Sequence, residues 1–283
     1  MTWVQAIVLA VLQGTSELFP VSSLGHTVLV PALLHWNVDR TDPTFLAFVV
    51  ALHVGTALAL VVFYRSEWSR IVRALATSIA RGSLSDNVDE RVGWLLVVGT
   101  IPVAVLGAFL EQPVRRLFGS SALVAGFLIL NAFVMFAGEA LRRRELAAAS
   151  TVPLAGLSWA NAAKVGFAQS AALLPGISRS GASIVAGLVL RLTHDDAARY
   201  SFLLATPVIL AASLLELPKL FTPQAHAVLG QSAVGAVIAA ITAYASVAFL
   251  TSWFHSHDLR PFGWYCLIFG SLSLALALAK VIS

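Results

Sequence analysis

Long apolar runs alternate with short polar interruptions along the whole chain. Six runs, at 43–64, 92–110, 121–141, 200–217, 228–250 and 262–281, are long enough to cross about 30 Å of hydrocarbon, which takes roughly 17–25 helical residues. Two further regions are apolar but broken: 2–34 is interrupted at 14–23, and 160–190 at 173–180. Each leaves two arms of about a dozen residues around a turn that contains Pro20 or Pro175, and such arms are too short to span. Irregular backbone at membrane depth needs protein or water around it. The pattern therefore predicts two re-entrant helix hairpins.

The order is hairpin, three spans, a linking loop, hairpin, three spans. Three is odd, so the second half is inverted relative to the first, as in transporters whose broken helices meet near the bilayer midplane. The expected fold is an all-α polytopic integral membrane protein. It has six transmembrane helices and two re-entrant hairpins in one domain, with repeats at 1–141 and 153–283 joined by 142–152.

Composition agrees: 58% of residues are hydrophobic and 11% charged, against about 25% charged in a soluble domain. The net charge of +4 does not point to nucleic acid, because the arginines are scattered between apolar runs. They read as topology signals and contacts to bilayer lipids. Arg65, Arg70, Arg73, Arg81 and Arg91 fall in one loop, and Arg142, Arg143, Arg144 and Lys164 in the loop two crossings later. Arg191, Arg199 and Arg260 share that side, whereas Arg40, Arg115, Arg116, Lys219 and Lys280 lie on the other. The excess makes the first side cytoplasmic, with both termini outside. Met1-Thr-Trp-Val lacks a basic leader pattern, so no cleaved signal peptide is expected. The single Cys266 excludes a disulfide framework or a cysteine-rich metal site.

The polar interruptions carry the candidate chemistry. In the first, Pro20 stops one arm and Ser22 or Ser23 can cap the next helix. Gly25 leaves the backbone open to close approach, and His26 shares a helix face with the serines. A hydroxyl near an imidazole is a minimal activated nucleophile; Glu17 can handle a proton or bind a divalent metal. In the second, Pro175-Gly176 permits a tight bend, Ser178 can cap, and Arg179 and Ser180 occupy the first helical turn. A helix start with a guanidinium is an anion site. Together the turns suit a phosphate ester or diphosphate at membrane depth. Each feature also has a plain structural reading. Ser-x-x-Gly is common capping, and a buried Gln13 or Gln169 joins helices. His53 either packs or lines the site. His35, His194, His255, His257 and Glu216 lie near span ends and read as interfacial, and Arg142–Arg144 read as topology determinants. Glu17 and Arg179 are harder to dismiss, because ionised groups at this depth generally serve function.

At these residues the chain resembles the bacterial undecaprenyl-diphosphate phosphatase, or bacitracin-resistance, family. The first motif is carried by Gln13, Glu17, Pro20, Ser22, Ser23, Gly25 and His26, and the second by Pro175-Gly176-Ile177-Ser178-Arg179-Ser180 and Ser183. Similarity continues through Ser201-Phe-Leu-Leu-Ala-Thr-Pro207. Four positions depart from the family pattern: Gln13 replaces an acid, Leu24 a hydroxyl residue, Ser183 a threonine and Cys266 an arginine. The resemblance implies hydrolysis of undecaprenyl diphosphate to undecaprenyl phosphate and inorganic phosphate, recycling the cell-wall lipid carrier, in the bacterial inner membrane with the site facing outside. It implies Mg²⁺ or Ca²⁺ on Glu17 and Gln13, catalysis by Glu17, Ser23, His26 and Arg179, and substrate contacts from Ser22, Gly25, Gly176, Ser178, Ser180 and Ser183. Either Ser23 or a water would attack phosphorus, and the prenyl tail would lie between spans. A second copy of the chain is a candidate partner. The competing reading is a polyprenyl-phosphate flippase using the same inverted repeat.

Overall fold

A computed structural model describes residues 1–36, 42–148, 150–216, 218, 222 and 225–282. Arg40, Leu217 and Lys219, used above for topology and span limits, lie outside these residues. The described residues form helices α1 (Trp3–Ser16), α2 (Ser23–Leu33), α3 (Pro43–Phe63), α4 (Arg65–Arg81), α5 (Val88–Arg115) and α6 (Ser121–Ala148) in the first half. The second half contributes α7 (Trp159–Ser170), α8 (Arg179–Val189), α9 (His194–Glu216), α10 (Leu229–Trp253) and α11 (Arg260–Leu278). No strand occurs among the described residues. Six helices, α3, α5, α6, α9, α10 and α11, are apolar and long enough to cross a membrane, so the chain is a multi-pass membrane protein.

Each broken region forms two short helices around its interruption, α1 and α2 around the first and α7 and α8 around the second. α1, with 14 residues, is about 21 Å long at 1.5 Å per residue, well short of the hydrocarbon thickness. One expectation needs correcting. The Arg65–Arg81 stretch is a helix, not a loop. Trp68, Ile71, Leu75 and Ile79 recur at helical spacing along it, and Gly82 closes it in the left-handed conformation, φ 68°. Its density of arginines hides that period. α4 packs on α5, and its Glu67 accepts from Arg199 Nη2 of α9 at 2.6 Å.

Small residues set the helix spacing. A Cβ on Gly55 of α3 would lie 2.1 Å from Ala236 O of α10, one on Gly14 of α1 2.3 Å from Ala239 O, and one on Gly166 of α7 2.3 Å from Gly99 O of α5. Backbones touch at these points, which is how helices associate where the surrounding solvent is as apolar as their side chains. α1 therefore lies on α10, α7 on α5, α3 on α10 and α9, and α6 on α11. Of the four short helices α2 and α8 are largely buried, whereas α1 and α7 keep an exposed face that carries Val4 and Phe167. Leu58, Phe109, Phe133, Ile241 and Ile268 are more than half exposed on the outer surface, as expected of side chains that face lipid.

Candidate active site

The turn between α1 and α2 and the turn between α7 and α8 meet. A Cβ on Gly25 would come within 3.4 Å of Gly176 Cα, and one on Gly181 within 3.4 Å of Pro20 Cβ. Asn131, fully buried on α6, joins them: its Nδ2 donates to Pro20 O at 3.0 Å while its Oδ1 accepts from Ser178 N–H at 3.0 Å. Ser180 Oγ adds a bond to Phe19 O at 3.2 Å. One amide thus ties a residue of each half to the same span.

Both following helices are capped by their first serine. Ser22 Oγ accepts from Gly25 N–H at 3.2 Å and Ser178 Oγ from Gly181 N–H at 3.1 Å, which satisfies amides that a helix start leaves open. Ser22 does so at φ 68°, a conformation that a side chain disfavours. In the second turn the positive φ, 113°, falls instead on Gly176, where a Cβ would also strike Val124 O of α6.

Glu17 is the centre of the constellation. Its Oε2 accepts from Ser23 Oγ at 2.5 Å and from Gln13 Nε2 at 3.1 Å. Its Oε1 accepts from Arg179 Nε at 3.4 Å across the two turns. His53 of α3 holds Val49 O through Nδ1 at 2.8 Å and turns Nε2 to within 3.6 Å of Glu17 Oε2. The 2.5 Å contact has the length of a charge-assisted O–H···O⁻ bond, so the Ser23 proton already points at a carboxylate. Arg179 is braced from behind. Nη1 donates to Ser201 O at 3.2 Å, and Ser201 Oγ lies 2.7 Å from Ser183 Oγ. Its Nη2 is buried without a partner, and a buried guanidinium N–H in that state calls for an acceptor.

Glu17, Ser23, His53 and Arg179 line a cavity of about 610 Å³. Phe45, Leu46, Val49, Val103 and Ile209 give it an apolar wall, and Ser22, Ser23, Ser178, Arg179, Gln169 and Glu17 a polar floor. The remaining expected residues stand behind that floor. Gly25 and Gly176 set the close approach, and Ser180 and Ser183 tie the second turn. His26 is 3% exposed and directed elsewhere, with Nδ1 at 2.7 Å from Ser22 O and Nε2 at 2.7 Å from the Tyr265 hydroxyl. It stacks on Phe269 with ring centroids 5.1 Å apart. Among the described contacts Ser23 pairs with Glu17, not with His26. Sequence reasoning left His53 undecided; it lines the site. Asn131, Ser201 and Tyr265 were missed as partners of the turns, although an asparagine alone in an apolar span was a visible signal. Glu216, expected at the interface, lies on the cavity wall.

Among the described residues no group of three or more His, Cys, Asp and Glu could enclose a metal. A smaller donor set is present. Gln13 Oε1 is buried without a partner, while Nε2 of the same amide donates to Glu17 Oε2. By type, a carboxylate and an amide oxygen are donors that a hard divalent cation would accept, with phosphate oxygens and water completing its shell.

Comparison with known proteins gives concordant results. Residues 6–272 match the family model described as bacitracin resistance protein BacA. The chain is 46% identical to the undecaprenyl-diphosphatase of Acidiphilium cryptum, across 98% of both chains. It is 45% identical to undecaprenyl-diphosphatase 2 of Chromobacterium violaceum, across 97% of this chain and 98% of that one. It is also 45% identical to the undecaprenyl-diphosphatase of Mycobacterium avium, across 97% of each.

Proposed function

The chain belongs to the bacitracin resistance protein BacA family, and on that premise we propose that it hydrolyses undecaprenyl diphosphate to undecaprenyl phosphate and inorganic phosphate. The observation that carries this reading is Glu17, bonded to the Ser23 hydroxyl through one oxygen and to the Arg179 guanidinium through the other. A nucleophile, its base and an anion clamp are thereby set within one contact of each other, under an apolar cavity suited to a prenyl chain.

Ser23 Oγ attacks the terminal phosphorus as its proton passes to Glu17 Oε2. The bond to the bridging oxygen breaks, and undecaprenyl phosphate leaves with the proton passed on by Glu17, which is again a carboxylate. Water then attacks the phosphoserine, giving a proton to Glu17 Oε2, which returns it to Ser23 Oγ as the O–P bond breaks and inorganic phosphate leaves. Arg179 Nη2 donates to a phosphoryl oxygen, where charge is greatest in the transition state. The amides at the starts of α2 and α8 point to the same region. His53 supports the charge on Glu17, while His26 and Tyr265 hold the first turn of α2. Glu17 and Gln13 would hold Mg²⁺ or Ca²⁺, which when bound supplies further neutralisation of phosphate charge.

Several contacts support the re-entrant hairpins and the inverted repeat. Val152 N–H, before α7, donates to Arg191 O, after α8, at 2.9 Å, so the second hairpin begins and ends together. Met1 and Trp36 pack on one cluster containing Phe45 and Phe48 at the start of α3, which does the same for the first. α1 crosses to α10 as α7 crosses to α5, the exchange a two-fold repeat requires. The cavity is lined by the early part of α3 and the late parts of α5 and α9. It therefore opens away from the arginine-rich end, which supports an outward-facing site under the positive-inside rule.

The test is phosphate release from undecaprenyl diphosphate by purified protein, with and without EDTA, for wild type and Glu17→Ala. Release is expected from the wild type, strongly reduced in the variant and lowered by EDTA. If lipid phosphate crossed liposome membranes with no phosphate released, a carrier would replace the phosphatase. Insensitivity to both EDTA and the substitution would remove the metal and Glu17 from the mechanism.

A further inference from the structure

At the end of the helices opposite the catalytic cavity lies a second cavity, of about 450 Å³. Its wall carries Arg142 from α6, His194 from the start of α9, and His255, His257 and Asp258 from the link between α10 and α11, together with Trp253. The acids around it already have cations or donors. Glu139 Oε1 lies 2.7 Å from His194 Nε2 and accepts from Leu259 N–H at 3.0 Å. Asp258 pairs with Arg260 at 3.1 Å, and Asp195 lies 3.6 Å from His255 Nδ1. Arg142 acts on Glu139 through charge alone, and its Nε is buried with no hydrogen-bond partner. A guanidinium N–H withdrawn from water and left unpaired is unfavourable until an acceptor reaches it.

We propose that this pocket binds a phosphate-bearing anion, with Arg142 as its principal donor. His257 is set to contribute: its ring stacks on Trp253 with centroids 4.0 Å apart and is further held by Ser256 Oγ at 3.0 Å from Nδ1. A planar guanidinium matches a phosphate through two parallel bonds. The pocket lies where α10 ends at Trp253 and α11 begins at Arg260, the level at which a membrane presents lipid headgroups. An anionic lipid headgroup and free inorganic phosphate share the chemistry. α9 separates this site from catalysis, since His194 starts the helix and Val208, Ile209, Ser213 and Glu216 line the catalytic cavity near its end. The proposal therefore stands independently of the phosphatase reading.

The experiment uses purified full-length Arg179→Ala protein, which lacks the guanidinium of the catalytic turn. Titration calorimetry follows inorganic phosphate and dioctanoyl phosphatidic acid, with dioctanoylglycerol as the phosphate-free control. Saturable binding of at least one phosphate ligand is expected, with no binding of the control. Adding Arg142→Gln weakens it roughly ten-fold or more, Arg142→Lys less, and His257→Ala less again. Preference for phosphatidic acid assigns a headgroup, and equal affinity assigns free phosphate. Elution volume and melting temperature confirm that each variant is folded; if Arg142→Gln is not, Arg142→Lys and His257→Ala carry the comparison. Absence of binding in the parent, or affinity unchanged in the folded variants, overturns the proposal.

Discussion

Gln13 and Gln169 are 156 positions apart, as are Ser22 and Ser178, and Gly25 and Gly181. Both serines cap the helix that follows through the amide of the paired glycine. The same interval sets Glu17 against Leu173, Ser23 against Arg179 and His26 against Ala182. The two turns thus repeat a backbone plan and divide the chemistry: the first brings the acid and the hydroxyl, the second the cation. They also make the reversal differently, at Ser22 in one and at Gly176 in the other. The comparison teaches that capping and close approach are the duplicated scaffold, while reacting groups are placed once each, at positions facing across the junction.

That division can be broken most directly at the acid turn. Ser23→Ala and Glu17→Gln should each lower kcat for phosphate release by about 10³-fold, within the range for losing a nucleophile or its base. Losses below ten-fold in both would place the chemistry elsewhere. On the cation side, Arg179→Lys keeps the charge but loses the fork, and kcat/KM should fall roughly 10–100-fold. Equal activity would mean that charge alone suffices.

The junction itself is tested at Asn131. Asn131→Leu leaves Pro20 O and Ser178 N–H buried without their partner, so about 2–3 kcal/mol of stability should be lost, with kcat falling more than KM rises. Asn131→Asp retains the acceptor for Ser178 and should fall between the two. If both variants match wild type in kcat and melting temperature, the turns do not depend on this residue. The smallest expected effect contrasts the two caps. Exchanging a capping serine for glycine costs only a few tenths of a kcal/mol, whereas relief of positive φ returns about 1 kcal/mol. Ser22→Gly should therefore be neutral or slightly stabilising, and Ser178→Gly, at φ −85°, slightly destabilising. Melting temperatures that move in the opposite order would contradict the strain assigned to Ser22.

Much of this was legible in the chain. The six spans and four short helices fall where apolar length and the proline-containing interruptions put them, because a helix in lipid must satisfy its own backbone and its length is set by the bilayer. α4 was obscured, since Arg65, Arg70, Arg73 and Arg81 interrupt the apolar period of Trp68, Ile71 and Leu75. Glu17, Ser23 and Arg179 stood out as polar groups in apolar surroundings, and the structure brings them together. The assignment of His26 beside the serines followed from helix spacing alone. Spacing fixes which side chains share a face but not what else competes for them. Here Tyr265, 239 positions away, and Ser22 O take both ring nitrogens.

The sequence by itself determined the membrane class, the places of the six spans, the two interruptions and the residue types suited to phosphate. These depend on local hydropathy, capping and composition, which a linear chain carries openly. Only the tertiary structure decided that the two turns touch, that Asn131 joins them, that Glu17 stands between Ser23 and Arg179, and that His53 faces it. Such contacts depend on how helices distant in sequence pack, through glycines such as Gly14, Gly55 and Gly166 that let backbones meet. No local pattern records which partner each of those glycines will find.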